Sequence, residues 1–137
     1  MVNSPGLTGQ KGEDAVAACL SARGWEIVAR NWRHGRLEID LICRDADSIV
    51  FVEVKTRSSG GMTTGADAFT PRKQSNLLRA AKFWLSRNRA WDKPCRFDLV
   101  LVDFNGGQYE TELIPNVIQL DQPRPARPGG DTTWQPW

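Results

Sequence analysis

Residues 37–57 read LEIDLICRDADSIVFVEVKTR, two runs rich in apolar and β-branched residues on either side of a DADS turn. Such a pattern is a β-hairpin. In its second half Ile49 and Phe51 fall on one face, and Val50, Val52 and Val54 on the other. A strand apolar on both faces is a central strand, covered above and below. The hairpin therefore demands a layered domain. It also carries a contradiction, because Glu38, Asp40, Glu53 and Lys55 lie inside the two runs. Carboxylates in a half-buried sheet are costly unless they are paired or hold a metal. With the turn centred between Ala46 and Asp47, Arg44 faces Ile49, Ile42 faces Phe51, Asp40 faces Glu53 and Glu38 faces Lys55. Opposed residues share a face with Cβ atoms about 5 Å apart. Asp40 and Glu53 then form a like-charge pair at contact range, and an oxygen-coordinated divalent cation fits between them.

The other elements follow from periodicity and punctuation. Residues 9–23 read as a helix stopped by Gly24, with Val16, Cys19 and Leu20 as an apolar stripe. WEIVARNWR reads as a strand ahead of the hairpin, and SSGGMTTGAD, residues 58–67, as a mobile loop. Thr70-Pro71 is a cap followed by a first-turn proline, opening a helix to about Asn88 whose apolar arc is Leu77, Leu78, Ala81, Trp84 and Leu85. RFDLVLVDF and YETELI are strands about an Asn105-Gly106-Gly107 turn. Helix, three strands, helix, two strands predicts an α/β sandwich around a mixed sheet of about five strands. Residues 1–120 read as one domain, and 121–137, rich in Pro and Gly and carrying Trp134 and Trp137, as a disordered tail.

At 137 residues the chain suits a single domain with a real core. No apolar run nears the roughly 18 residues of a membrane span, and the N-terminus lacks the apolar stretch of a secretory signal. Cys19, Cys43 and Cys95 are odd in number and far apart, and His34 is the single histidine. That argues against zinc or a disulfide framework and for reduced thiols in a cytoplasm. The net charge of +2 is unevenly spread: residues 70–96 hold eight basic residues against Asp92, a segment charge of +7 that leaves −5 elsewhere. A basic segment on an acidic domain suits a polyanionic partner, although a solvated helix face has the same composition.

Two polar residues fall on buried stripes, each in an early helical turn. Glu13 shares a face with Val16, Ala17 and Leu20, and Gln74 lies within the arc of the second helix. Each has an ordinary reading: Glu13 as a complement to the helix terminus, Gln74 as a local hydrogen-bonding residue, Glu38 as the cross-strand partner of Lys55, and His34 as a surface imidazole. The pattern gains weight from its members together.

GQKGEDA at 9–15, then ARNWR, EIDLI and FVEVKTR, resemble the YraN-like family of uncharacterised bacterial proteins, over roughly residues 9–120. That family is similar to the restriction-endonuclease-like superfamily, PD-(D/E)XK, and within it to archaeal Holliday-junction resolvases. The resemblance implies a three-layer α/β sandwich and a site of two acids and a lysine, matched by Asp40, Glu53 and Lys55, with an acid from the first helix matched by Glu13. Some of these nucleases add a glutamine in the helix after the core, matched by Gln74, and a tyrosine four residues on, where this chain has Leu78. By the same resemblance, Asp40, Glu53 and the backbone carbonyl of Val54, aided by Glu13, hold Mg²⁺ or Mn²⁺. Lys55 stabilises developing charge or positions the water, and Arg57, Arg72, Lys73, Gln74, Arg79 and Lys82 meet the nucleic acid. The expected function is a metal-dependent phosphodiesterase acting on branched or structured DNA, with RNA the less favoured substrate. The alternative is a nucleic-acid-binding module of repair or recombination that does not cleave. Pairing with a second copy stays open.

Overall fold

The structure, a computed structural model, describes residues 5–57 and 69–118. The expected loop at 58–67 and tail at 121–137 lie outside the described residues. The elements are α1 (Pro5–Ala22), β1 (Glu26–His34), β2 (Leu37–Asp45), β3 (Ser48–Arg57), α2 (Pro71–Arg87), β4 (Cys95–Asn105) and β5 (Gln108–Ile114). Their order is the one the sequence predicts. They form one five-stranded sheet in the order β1-β2-β3-β4-β5. β3 and β4 are parallel, and the other neighbours are antiparallel. A parallel pair requires a crossover, and α2 supplies it.

Apolar residues on both faces of β3 put it at the centre, as the hairpin requires. Val50 and Val52 pack with Val16 and Leu20 of α1, and with Leu41, Cys43, Val100 and Val102. Ile49 and Phe51 pack on the opposite face with Leu77, Ala81, Trp84 and Leu85 of α2. Phe51 stacks on Phe97 at 5.3 Å between centroids and meets the edge of Trp84 at 5.8 Å. One helical layer on each side of a mixed sheet makes this an α/β fold consistent with a three-layer sandwich.

Local signals set the ends of both helices. The Thr70 hydroxyl accepts from the Lys73 N–H at 3.3 Å, and the chain leaves α2 at Asn88. After α1, Gly24 takes φ +91°. Its N–H bonds to the carbonyl of Ser21, and that of Trp25 to the carbonyl of Leu20. This is a Schellman ending with its usual contact, since Leu20 and Trp25 share a core cluster. Two expectations need correcting. α1 begins at Pro5 rather than residue 9. Cys19 is exposed, because the α1 stripe narrows to Val16 and Leu20 where the helix meets the sheet. On α2, Ala80 joins the buried arc while Leu78 is only half-buried.

Asp98 is the buried charged residue among those described. It accepts from Arg96 at 3.2 Å and from the Asn116 N–H at 3.0 Å. Arg96 also reaches Asp45 at 3.4 Å and lies over the Trp25 ring. This network accounts structurally for the charges of Asp98, Arg96 and Asp45.

Candidate functional site

The β2–β3 ladder runs from Asp45↔Ser48 to Leu41↔Val52 in the register that the turn dictates. Continued, it would set Ile39 opposite Val54. The ladder stops short of that pair: Ile39 keeps its pairing with Trp32 of β1 on the other edge of β2, and the Val54 N–H donates to Asp40 Oδ2 at 2.8 Å. The hairpin opens at Asp40, and a carboxylate takes the place of a ladder carbonyl. Asp40 and Glu53 are hydrogen-bonded to each other there. The sequence expected the two carboxylates to meet, and they do.

β1 contributes a residue that periodicity did not single out. Asn31 stands between the pairs Arg30↔Leu41 and Trp32↔Ile39, the position facing Asp40. Its φ is +50°, left-handed in the middle of a strand. Asparagine is among the few residues that tolerate this conformation. Its side chain hydrogen-bonds Glu13 of α1. ARNWR carried the residue, but a strand pattern gives no hint of a left-handed backbone.

α1 approaches β3 closely at this end. A Cβ on Gly12 would lie 2.5 Å from Thr56 Oγ1. Glu13 is thereby brought near enough to Asp40 to feel its charge. Gly12→Ala is expected to destabilise the fold by about 1–3 kcal/mol, the usual cost of overpacking. Thr56→Ala in the same chain should restore most of it. Denaturant unfolding of the single and double variants checks this, and an equal loss in both would place the strain elsewhere.

Burial sets the protonation of the cluster. It pushes the Glu53 carboxyl up to about 8, with the charge of Asp40 adding to the rise and Lys73 opposing it. Burial also raises Asp40, against the hydrogen bond from Val54. Glu13 is raised by burial first and by Asp40 second. Near neutrality Glu53 therefore keeps its proton beside Asp40, and a bound dication would displace it. Lys73, expected as a phosphate contact, acts on both carboxyls from the first turn of α2.

Lys55 is half-buried, two residues beyond Glu53 on the same side of β3, and makes no ion pair among the described residues. Glu38 pairs with Arg33 of β1 at 3.5 Å rather than with Lys55. Arg57 makes a two-pronged pair with Asp103 of β4, at 2.9 and 2.7 Å, so a phosphate there would share the guanidinium with a carboxylate. Arg72, Lys73, Arg79 and Lys82 are exposed on α2. Gln74 is half-buried, and its side-chain amide donates to the Phe69 carbonyl at 2.9 Å, the local role open to it from sequence.

Among the described residues no group of three or more His, Cys, Asp or Glu side chains is set to hold a metal ion. The donor set is two carboxylates, Asp40 and Glu53, with the Val54 carbonyl next to Glu53 in sequence. All-oxygen donors with few protein ligands match Mg²⁺ or Mn²⁺, which keep several waters, and do not match zinc. A cavity lined by Val16, Cys19, Leu20, Arg23, Val100, Thr111 and Leu113 lies between α1 and the β4–β5 pair, apart from these residues. No helix among the described residues is long and apolar enough to cross a membrane.

The model of the uncharacterised protein family UPF0102 matches residues 12–102, which span Glu13, Asp40, Glu53 and Lys55. A UPF0102 protein of Nitratidesulfovibrio vulgaris (strain DP4) is 50% identical over 137 residues, the whole of both chains. UPF0102 protein LI0223 of Lawsonia intracellularis is 39% identical over 94% of this chain and 96% of its own. UPF0102 protein STH1475 of Symbiobacterium thermophilum is 44% identical over 80% and 94%.

Proposed function

The chain belongs to the uncharacterised protein family UPF0102, and from its site we propose that it is a metal-dependent nucleic-acid phosphodiesterase, acting on branched or structured DNA. The observation that carries this reading is the meeting of Asp40 and Glu53 where the hairpin opens, with Lys55 on the same side of β3. A fold has no structural use for two carboxyls that burial makes expensive and that face each other. Their restriction-endonuclease-like placement is part of the same proposal.

Asp40, Glu53 and the Val54 carbonyl would hold Mg²⁺ or Mn²⁺. When bound, the ion supplies an acidified water and neutralises charge on the phosphodiester. The chain's own residues do the rest. Lys55 donates to the oxygen on which charge develops. Glu13, fixed by Asn31, accepts a proton from the attacking water and holds its direction. α2 binds phosphates through Arg72, Lys73, Arg79 and Lys82 without reading sequence. The activity belongs in a cytoplasm, where the free Cys19, Cys43 and Cys95 persist as thiols.

The test is incubation of purified protein with labelled junction, duplex, single-stranded and RNA substrates, with Mn²⁺ and with chelator. Metal-dependent cleavage that Glu53→Gln removes supports the reading. Binding without cleavage on every substrate leaves the non-catalytic binding module in its place. In either case alanine at Arg72, Arg79 and Lys82 together should weaken binding to all nucleic acids alike and flatten the salt dependence by up to about three phosphate contacts. An unchanged salt slope would remove α2 from the interface.

A further inference from the structure

At the end of β1, Trp32, His34 and Phe83 form a column of rings. His34 and Phe83 lie 4.3 Å apart between centroids, tilted by 33°, and Trp32 and His34 lie 6.3 Å apart, within 17° of parallel. Trp32 packs against the core beneath α2, and both it and His34 are half-buried. Phe83 is 43% exposed, so the column runs from the core to solvent and ends on a bare ring. A lone exposed phenylalanine needs no explanation. A stacked series that ends in one has an outer π-face already held in orientation.

The charge around that face selects among occupants. Arg79 and Arg87 stand one turn before and one turn after Phe83, on its side of α2, and Lys82 adjoins it. All three are exposed and make no ion pair among the described residues. α2 contains no acidic residue. A second copy seated here would bring like charges together, and an apolar peptide would leave the cations unused. A nucleic-acid strand supplies both a flat base for the ring and phosphates for the cations.

We infer that Phe83 is a stacking platform for an unpaired base, with the adjoining phosphates on Arg79, Lys82 and Arg87. This rests on the nucleic-acid reading above and narrows the substrate class to one that offers unpaired nucleotides beside duplex.

Phe83→Leu keeps an apolar side chain of similar size and removes the ring. The full chain, as wild type and as Phe83→Leu, is titrated by fluorescence anisotropy into a labelled oligothymidylate strand and a duplex of equal length. The expected result is single-strand affinity lower by about tenfold, duplex affinity unchanged, and recovery in Phe83→Tyr. Equal affinity of Phe83→Leu and wild type for the single strand overturns the inference while leaving the phosphodiesterase reading intact. So does an equal loss on both substrates, or conversion of a dimer to a monomer in sedimentation, which would make this face an interface between copies. If wild type binds neither substrate, both readings fall, and a failure of cleavage alone touches only the catalytic one.

Discussion

In metal-free buffer at pH 8, Glu53→Gln is expected to be at least as stable as wild type, and to lose the wild-type dependence of stability on pH. The Glu53 carboxyl titrates near 4.5 when the chain is unfolded and is pushed up to about 8 in the fold. Between those values the folded state binds more protons than the unfolded one. This group's stabilisation is therefore complete below about pH 4.5 and is lost as pH rises through about 8. One proton gives a slope of roughly 1.4 kcal/mol per pH unit within that window. Glutamine resembles the protonated acid, donates to Asp40 as it does, and has nothing to titrate. Mn²⁺ should rescue wild type most at high pH, where protons no longer compete, and should raise its melting temperature by mass action. The glutamine variant should show almost none of that rise. Melts at pH 5, 6.5 and 8, with chelator and with Mn²⁺, decide the matter. A wild-type slope and a full metal response in Glu53→Gln would end the shared-cation account of the hairpin.

Lys55→Ala should divide chemistry from binding. Lys55 is half-buried and forms no ion pair among the described residues, so its loss leaves no buried charge unpaired. Folding, the Mn²⁺-dependent melting shift and nucleic-acid affinity should stay close to wild type. Cleavage should fall by about 10²-fold or more, the size of one lost transition-state contact. Single-turnover rates at saturating metal measure this directly. If cleavage continues at the wild-type rate, the charge on the leaving or attacking oxygen is met by another group, with Lys73 the next cation to examine.

Much of this fold is set by near neighbours along the chain. Thr70-Pro71 opened α2, Gly24 closed α1, and the DADS turn fixed the pairing of Leu41 with Val52 and of every residue nearer the turn. Two apolar faces on β3 settled its central place and the layer on each side. Those signals are local, because capping, turn geometry and period-two alternation act over a few residues. The meeting of Asp40 with Glu53 was also legible, being a consequence of the turn. Other features arise only where elements distant in sequence converge. The left-handed Asn31, its bond to Glu13, the 2.5 Å approach of Gly12 to Thr56, the hold of Asp103 on Arg57 and the reach of Lys73 to both carboxyls depend on how α1, α2, β1 and β4 come to rest around β3. The ladder's opening at Asp40 belongs with them. There the Val54 N–H turns from a main-chain carbonyl to the Asp40 carboxylate, whose burial depends on the elements packed around it.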